Sequence, residues 1–210
     1  MKSQMVSDLE SILAKQRKYA SFFEWPDRVI METGIVRTLC DAMERASERR
    51  FTGVRSGPHP NQAPDCVALN LRGRPVAIEV SELVSPEAIR LNQKAKLPTD
   101  RVYMDWEPRA VVGRISEILA EKDAKTYHAG PFWSIVVVIH CDEFTIKSDA
   151  YLPMLNRARF GPFRQINEVY FLFSYEPDVQ GYPYTKLFLK RAFFPWRLWL
   201  ARSRCWLTTA

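Results

Sequence analysis

Two acidic residues stand among apolar residues, at a spacing that could hold a metal ion. Glu79 lies within the apolar run 76–84, and Asp65 directly follows Pro64 at the start of the run 66–72. If the two runs form a hairpin, Asp65 and Glu79 converge. Burying a carboxylate is costly unless something pairs with it. Since Mg²⁺ takes oxygen ligands, we predict that the two carboxylates share a hard divalent cation.

A third acid lies on a helix that is predicted to precede this hairpin. Glu32 comes 3, 4 and 7 positions before Ile35, Val36 and Leu39, so it shares their apolar helical face. The alternative is a Glu32 at the margin of that face, reaching water. Three carboxylates without a cation would repel nucleic acid, and a metal-filled site would attract it.

The order of these residues resembles the PD-(D/E)xK nuclease superfamily over about residues 27–97. A proline–aspartate pair, a short hairpin and Glu79-Val80-Ser81 follow a helix that carries Glu32. The resemblance implies a restriction-endonuclease-like fold and metal-dependent hydrolysis of nucleic-acid phosphodiesters. It also implies that Mg²⁺ or Mn²⁺ is held by Asp65, Glu79, the carbonyl of Val80 and Glu32.

The chain departs from the superfamily at Ser81, where lysine is usual. That lysine orients or activates the attacking water and offsets transition-state charge, which serine cannot do. The nearest substitutes, Lys94 and Lys96, follow the hairpin, and we favour Lys94 because it shares a helical face with Arg90 and Gln93. The predicted catalytic positions are therefore Asp65, Glu79, Ser81 and Lys94. Alternatively, the protein is a catalytically inactive nucleic-acid-binding or protein-interaction domain on the same fold.

The order of the predicted elements indicates a mixed α/β domain, and the resemblance implies a mixed central β-sheet flanked by helices. Helices are expected over 7–20, 26–50, 109–125 and 149–160, with another starting at Ser85. Strands are expected over 66–72, 74–84, 132–140, 168–175 and 184–193, and a loop over 52–64. The run 132–140 is almost continuously apolar, which is typical of a strand covered on both faces.

Basic residues predict a nucleic-acid surface. The formal charge is +6, and no Asp or Glu follows residue 183. Cations interleaved with aromatic residues suit a polyanion with stackable bases, although the aromatic residues could equally dock on the protein body. The predicted contacts are Arg72, Arg74, Lys190, Arg191 and Arg197. DNA is favoured over RNA, and a homodimer is an open possibility.

Length and composition indicate how the chain is organised and which other classes of protein and site are disfavoured. The 210 residues predict a single domain, with a helical extension over 1–26, a core over 27–190 and a basic aromatic tail over 191–210. Four separated cysteines and no secretory signal predict reduced thiols and a cytoplasmic location. No run is long enough to span a membrane. The histidines and cysteines show no zinc-ligand spacing, and we expect His140 to be the polar end of a buried strand.

Overall fold

The computed structural model describes residues 27–58, 64–95, 102–127, 130–143 and 145–190. The predicted helix at 7–20 and the tail at 191–210, with Arg191 and Arg197, lie outside these ranges. In chain order the elements are α1 (Arg28–Arg45), β1 (Phe51–Ser56), β2 (Cys66–Asn70), β3 (Pro75–Leu83), α2 (Pro86–Lys94), α3 (Pro108–Asp123), β4 (Ser134–Cys141), α4 (Ser148–Leu155), β5 (Glu168–Leu172) and β6 (Tyr184–Leu189).

The six strands form one sheet in the order β1-β2-β3-β4-β5-β6. β1, β2 and β3 pair antiparallel, β3, β4 and β5 pair parallel, and β6 returns antiparallel to β5. β4 is parallel to both neighbours, and its last six residues are buried. The predictions of an α/β class and of a mixed sheet flanked by helices are confirmed.

Helices cover both faces of this sheet, and the side chains of successive strand residues alternate between the two cores. On one face α1 packs through Ile35, Val36, Leu39 and Met43 against Ile78, Val80, Val136 and Val138. On the other face α3 and α4 pack against Leu83, Val137, Ile139 and Val169. Glu79 therefore belongs to the α3 side of β3, and Val80 to the α1 side.

The loop predicted over 52–64 is wrong in its first part, because β1 runs from Phe51 to Ser56. The strand is short, lies at the sheet edge and has an irregular register between Thr52 and Arg55. Gly53 within that irregularity has a φ of 62°, a left-handed conformation that glycine adopts without a steric penalty. Pairing with β2 stabilises this strand, and the local sequence contains no regular alternation that would reveal it.

The hairpin between β2 and β3 is confirmed, and side-chain hydrogen bonds fix its turn. The side-chain oxygen Oδ1 of Asn70 accepts from the backbone N–H groups of Arg72 and Arg74, at 2.9 and 3.0 Å. Gly73 has a φ of 72°. This turn sets the register in which β3 passes β2 and therefore the position of Glu79 relative to Asp65.

Candidate active site

The pairing of β2 with β3 stops where Asp65 begins. Cys66 is the first residue of β2 and pairs with Ile78, so continuation of the register would place Pro64 opposite Val80. Proline has no N–H to donate to a ladder. Instead, Oδ2 of Asp65 accepts a hydrogen bond of 2.8 Å from the backbone N–H of Val80. The sequence Pro64-Asp65 thus ends the strand and places a carboxylate against the edge of β3 that β2 no longer pairs with.

A close backbone approach holds Asp65 in this place. The N–H of Gly57, which follows β1, donates to the backbone oxygen of Asp65 at 2.8 Å. A Cβ added to Gly57 would lie 1.9 Å from the carbonyl oxygen of Pro64. Only glycine fits at position 57 while the Pro64-Asp65 backbone keeps its present path.

Glu79 is fully buried on the α3 side of the sheet and is paired with two lysines. Its Oε2 lies 2.7 Å from Nζ of Lys122 and 2.8 Å from Nζ of Lys125. Lys122 belongs to the last turn of α3, and Lys125 follows the helix. Ser81 is half-buried, and strand alternation puts it on the same face as Glu79. The structure therefore brings two ammonium groups to the face where the superfamily motif would place its lysine.

The Lys122 ammonium lies among three oxygens from the residues predicted to bind metal. Besides Oε2 of Glu79, Nζ lies 3.0 Å from the carbonyl oxygen of Val80 and 3.8 Å from Oδ2 of Asp65. The carboxylates of Asp65 and Glu79 therefore converge, because they share this one cation. The side chain of Lys122 is 12% exposed.

Glu32 joins the same cluster from α1 through an arginine. Nε of Arg28 donates to Oε1 of Glu32 at 2.5 Å, and an Arg28 Nη atom lies 3.4 Å from Oδ1 of Asp65. Arg28 and Glu32 are one helical turn apart on α1. Asp27 caps the N-terminus of this helix, because its side chain accepts hydrogen bonds from the backbone N–H groups of Val29 and Ile30. Burial raises the pKa of Glu32, although the hydrogen bond from Arg28 opposes that effect.

Within the described residues, the cluster contains three carboxylates and three cations. Its members are Glu32, Asp65, Glu79, Arg28, Lys122 and Lys125. The formal charges of these six side chains cancel, so the unbalanced negative charge from which repulsion of nucleic acid was expected is not present in the cluster. Burial raises the pKa of Asp65, and the neighbouring charge of Glu79 adds to this effect. The pKa of Lys125 is also raised: its burial acts against the charged form, but its hydrogen bond to Glu79 and the nearby negative charges of Glu79 and Asp65 together outweigh that.

One oxygen of Glu79 is left over from this network. Oε1 is buried and has no hydrogen-bond partner among the described residues. An orphaned buried carboxylate oxygen is uncommon because it gives up its interactions with water without replacement. Together with the carbonyl of Val80 and the carboxylate of Asp65, it belongs to a set of hard oxygen donors of the kind that Mg²⁺ prefers.

The predicted lysine is not the one that reaches the carboxylates. Lys94 is exposed on α2, and within the described residues no ion pair joins it to Asp65 or Glu79. Lys122 was missed, although the sequence contained its signal. The buried residues of α3 are Val111, Ile115, Ile118 and Leu119. Lys122 continues this stripe by one more helical step, so it had to face the sheet.

Two of the predicted basic regions meet at the opposite end of the strands. Arg72 of the hairpin turn and Lys190 after β6 line one cavity of about 630 Å³ together with Arg50 and Trp133. The guanidinium carbon of Arg74 lies 3.8 Å from the centre of the Trp133 ring, a cation–π contact. Trp133 is 60% exposed. The fold thus gathers cations from distant parts of the sequence around an accessible aromatic ring.

A second group of ligand-type side chains lies on the α1 side of the sheet. Donor atoms of Glu82, His140 and Asp142 lie within 4.8 Å of one another, because Glu82 and His140 are register partners on β3 and β4. His140 is buried in its strand, as predicted. Each of the three residues already takes part in an interaction within the protein, so we do not assign a metal to them.

Comparison with known proteins adds no relative. No family model matches the chain, and neither a curated protein nor a solved structure does. Among the described helices, none is both long and apolar enough to cross a membrane. The three cysteines in the described ranges, Cys40, Cys66 and Cys141, are free thiols.

Proposed function

We propose that the protein is a divalent-metal-dependent nuclease that hydrolyses phosphodiester bonds of nucleic acid, with DNA favoured over RNA. The observation that carries the proposal is the convergence of the buried Glu79, Asp65 and the Val80 backbone on one point with lysine ammonium groups beside it. A buried group of ionisable side chains with perturbed pKa values, as at Asp65 and Lys125, is a candidate for a functional site. Free thiols in the described core are in keeping with a cytoplasmic location.

The donor set fits Mg²⁺ or Mn²⁺. Asp65, both oxygens of Glu79 and the carbonyl of Val80 would hold the ion, and Glu32 would contribute from α1 through the residues it contacts. When bound, such an ion lowers the pKa of a water molecule and stabilises charge that develops on the phosphate. All of these donors are hard oxygens, and one of them, Oε1 of Glu79, is buried and has no hydrogen-bond partner in the described chain.

The lysines supply the positive charge that Ser81 cannot. Lys125 is the more accessible of the two, with a side chain 40% exposed, so it can contact a substrate phosphate. A preorganised ammonium at this point stabilises negative charge that develops in the transition state. Arg72, Arg74 and Lys190 would hold more distant phosphates as contacts that do not depend on sequence.

A second candidate function rests on one observation. Both ammonium groups already pair with Oε2 of Glu79, so the site is neutralised without a metal. In that case the fold is a nucleic-acid-binding or protein-interaction domain, and the lysines replace a metal that the protein no longer uses. The two candidates differ in a single measurable property, which is metal-dependent cleavage.

The test is cleavage of a mixture of DNA and RNA by purified protein with Mg²⁺ or Mn²⁺. We expect metal-dependent cleavage that Glu79→Gln reduces at least a hundredfold, because the substitution removes the charge that holds the ion. The matched control is Glu44→Gln, which changes an exposed glutamate of α1 and should cleave like the unmodified chain.

Two outcomes would contradict the nuclease proposal. If the unmodified protein cleaves nothing while it still retards DNA in a gel, the second candidate function replaces the first. If Glu79→Gln and Glu44→Gln cleave equally well, the activity resides elsewhere or belongs to a contaminant.

A further inference from the structure

We propose that Lys122 is a built-in counterion that fills the metal position, so that a divalent cation must displace its ammonium group in order to bind. The identity of the oxygen set as a metal site rests on the proposed function. The competition itself rests on the positions of the Lys122 atoms.

Lys122 contacts three of the oxygens that define the candidate metal position. The distances from Nζ are 2.7 Å to Glu79, 3.0 Å to the Val80 carbonyl and 3.8 Å to Asp65. The first two are hydrogen bonds, and the third is an ion pair. These oxygens belong to two carboxylates and one backbone carbonyl, and together they form a cation site. In the metal-free protein the cation in this site is the ammonium group of Lys122.

Metal and ammonium cannot share this position. Mg²⁺ lies about 2.0–2.1 Å from its oxygen ligands, and the same oxygen lone pairs accept the Lys122 hydrogens. Two positive charges at such separations also repel strongly in a partly buried site. Binding of the ion therefore requires the Lys122 side chain to swing away, and the cost of that movement weakens the observed affinity.

Lys125 provides an internal comparison. It touches Oε2 of Glu79 at 2.8 Å, but within the described residues no hydrogen bond or ion pair joins it to Val80 or Asp65. Its side chain is 40% exposed against 12% for Lys122. Lys125 can therefore keep its place beside a bound ion, whereas Lys122 cannot.

The experiment measures Mn²⁺ affinity by calorimetry for the unmodified protein, Lys122→Met and Lys125→Met. We expect Lys122→Met to tighten Mn²⁺ binding at least tenfold and Lys125→Met to tighten it less than threefold. Lys147→Met, which changes an exposed lysine before α4, is the control for net charge and should leave the affinity unchanged.

A second measurement uses the unmodified chain and does not depend on the folding of any variant. Acetylation of each lysine is followed by mass spectrometry with and without saturating Mn²⁺. The buried, paired Lys122 should react slowly without metal, and its reaction should accelerate at least fivefold with metal. Protection of Lys122 by the metal would overturn the proposal.

The outcomes separate this inference from the proposed function. If Lys122→Met tightens Mn²⁺ but no form of the protein cleaves nucleic acid, the counterion role stands and the nuclease proposal falls. If the unmodified protein cleaves and Lys122→Met binds Mn²⁺ no more tightly, the counterion role falls and the nuclease proposal stands. Equal tightening by both lysine variants indicates a general charge effect and also overturns the inference.

Discussion

Lys122 and Asp123 are neighbours at the end of α3, and their side chains attach this end of the helix to the rest of the protein by two different kinds of contact. Lys122 points to the buried carboxylates of Glu79 and Asp65. Asp123 points to the loop before β5, where its two oxygens accept the backbone N–H groups of residues 164, 165 and 166. One contact is a buried ion pair, and the other is a half-buried carboxylate bound by neutral donors.

The comparison shows what each kind of contact is suited to. A carboxylate that accepts backbone N–H groups is satisfied in any metal or ligand state, so Asp123 fixes the helix end permanently. A buried ion pair depends on both partners, because either charge alone is expensive to keep out of water. The Lys122 contact can therefore be exchanged for another cation, and the Asp123 contact has no such alternative.

The largest expected effect comes from breaking the buried pair without metal. Lys122→Met should lower the free energy of unfolding by as much as about 3–5 kcal/mol, the range for removing one partner of a buried ion pair. Lys125 still contacts Glu79, so the lower end of that range is expected. Urea denaturation in the presence of a chelator measures this difference.

The control for this prediction is the double variant Glu79→Gln/Lys122→Met. Removing both charges should recover part of the lost stability, because no uncompensated carboxylate stays buried at position 79. If the loss of unfolding free energy in the double variant equals the sum of the losses in the two single variants, the two residues do not interact. The contrast between Lys122 and Asp123 would then be wrong.

An intermediate effect is expected at Gly57, which positions the acid and not the lysine. Gly57→Ala forces the Pro64 carbonyl away from its present place and should cost about 1–3 kcal/mol, as overpacking does. Asp65 should move with the backbone, so Mn²⁺ affinity should fall as well. Denaturation and calorimetry on the same sample measure both quantities.

Gly113→Ala is the matched control for that substitution. Gly113 is exposed within α3, and an added Cβ meets no atom within 4 Å. Alanine there should stabilise the helix by about 0.5–1 kcal/mol and leave Mn²⁺ affinity unchanged. If Gly57→Ala behaves in the same way, the close approach does not hold Asp65.

The positions of the three acidic residues and of the β2–β3 hairpin could be predicted from the sequence, because they follow from local patterns. Glu79 in an apolar strand and Asp65 after a proline could be located by alternation and by chain order alone. Glu32 was found in the same way, from its place on the buried stripe of α1. The place of each acidic residue depends only on the helix or strand that contains it and on the neighbouring strand of the hairpin.

The cations could not be located so simply, because their positions depend on how distant elements pack. Lys122 lies 43 residues beyond Glu79 in the chain, and only the packing of α3 on the sheet brings them together. The site was also expected to be acidic, because Arg28, Lys122 and Lys125 were not predicted to lie beside the three carboxylates. Lys94 is favoured by the sequence because it shares a helical face with Arg90 and Gln93, but a shared face on α2 does not bring its ammonium group to Asp65 or Glu79.

The smallest expected effect is the pH dependence of the Asp123 contact. Partial burial raises the pKa of Asp123, but hydrogen bonds from three backbone N–H groups outweigh it and lower the pKa below its usual value of 3.8. A lowered pKa means that the folded state favours the ionised carboxylate. Its stabilisation is therefore fully present at neutral pH and is lost as the pH falls below about 4.

Asp123→Asn should accordingly destabilise the protein by less than about 1 kcal/mol at pH 7, since solvent screens this half-buried group. The difference from the unmodified chain should shrink as the pH falls through the lowered pKa of Asp123, because the folded protein then takes up a proton at this carboxylate. Urea denaturation between pH 3 and pH 7 measures it. Asp65 has the opposite tendency, because burial raises its pKa. A stability difference at position 123 that grows as the pH falls would mean that Asp123 is held as a protonated acid, and the contact would then not be the ionised carboxylate that the comparison with Lys122 requires.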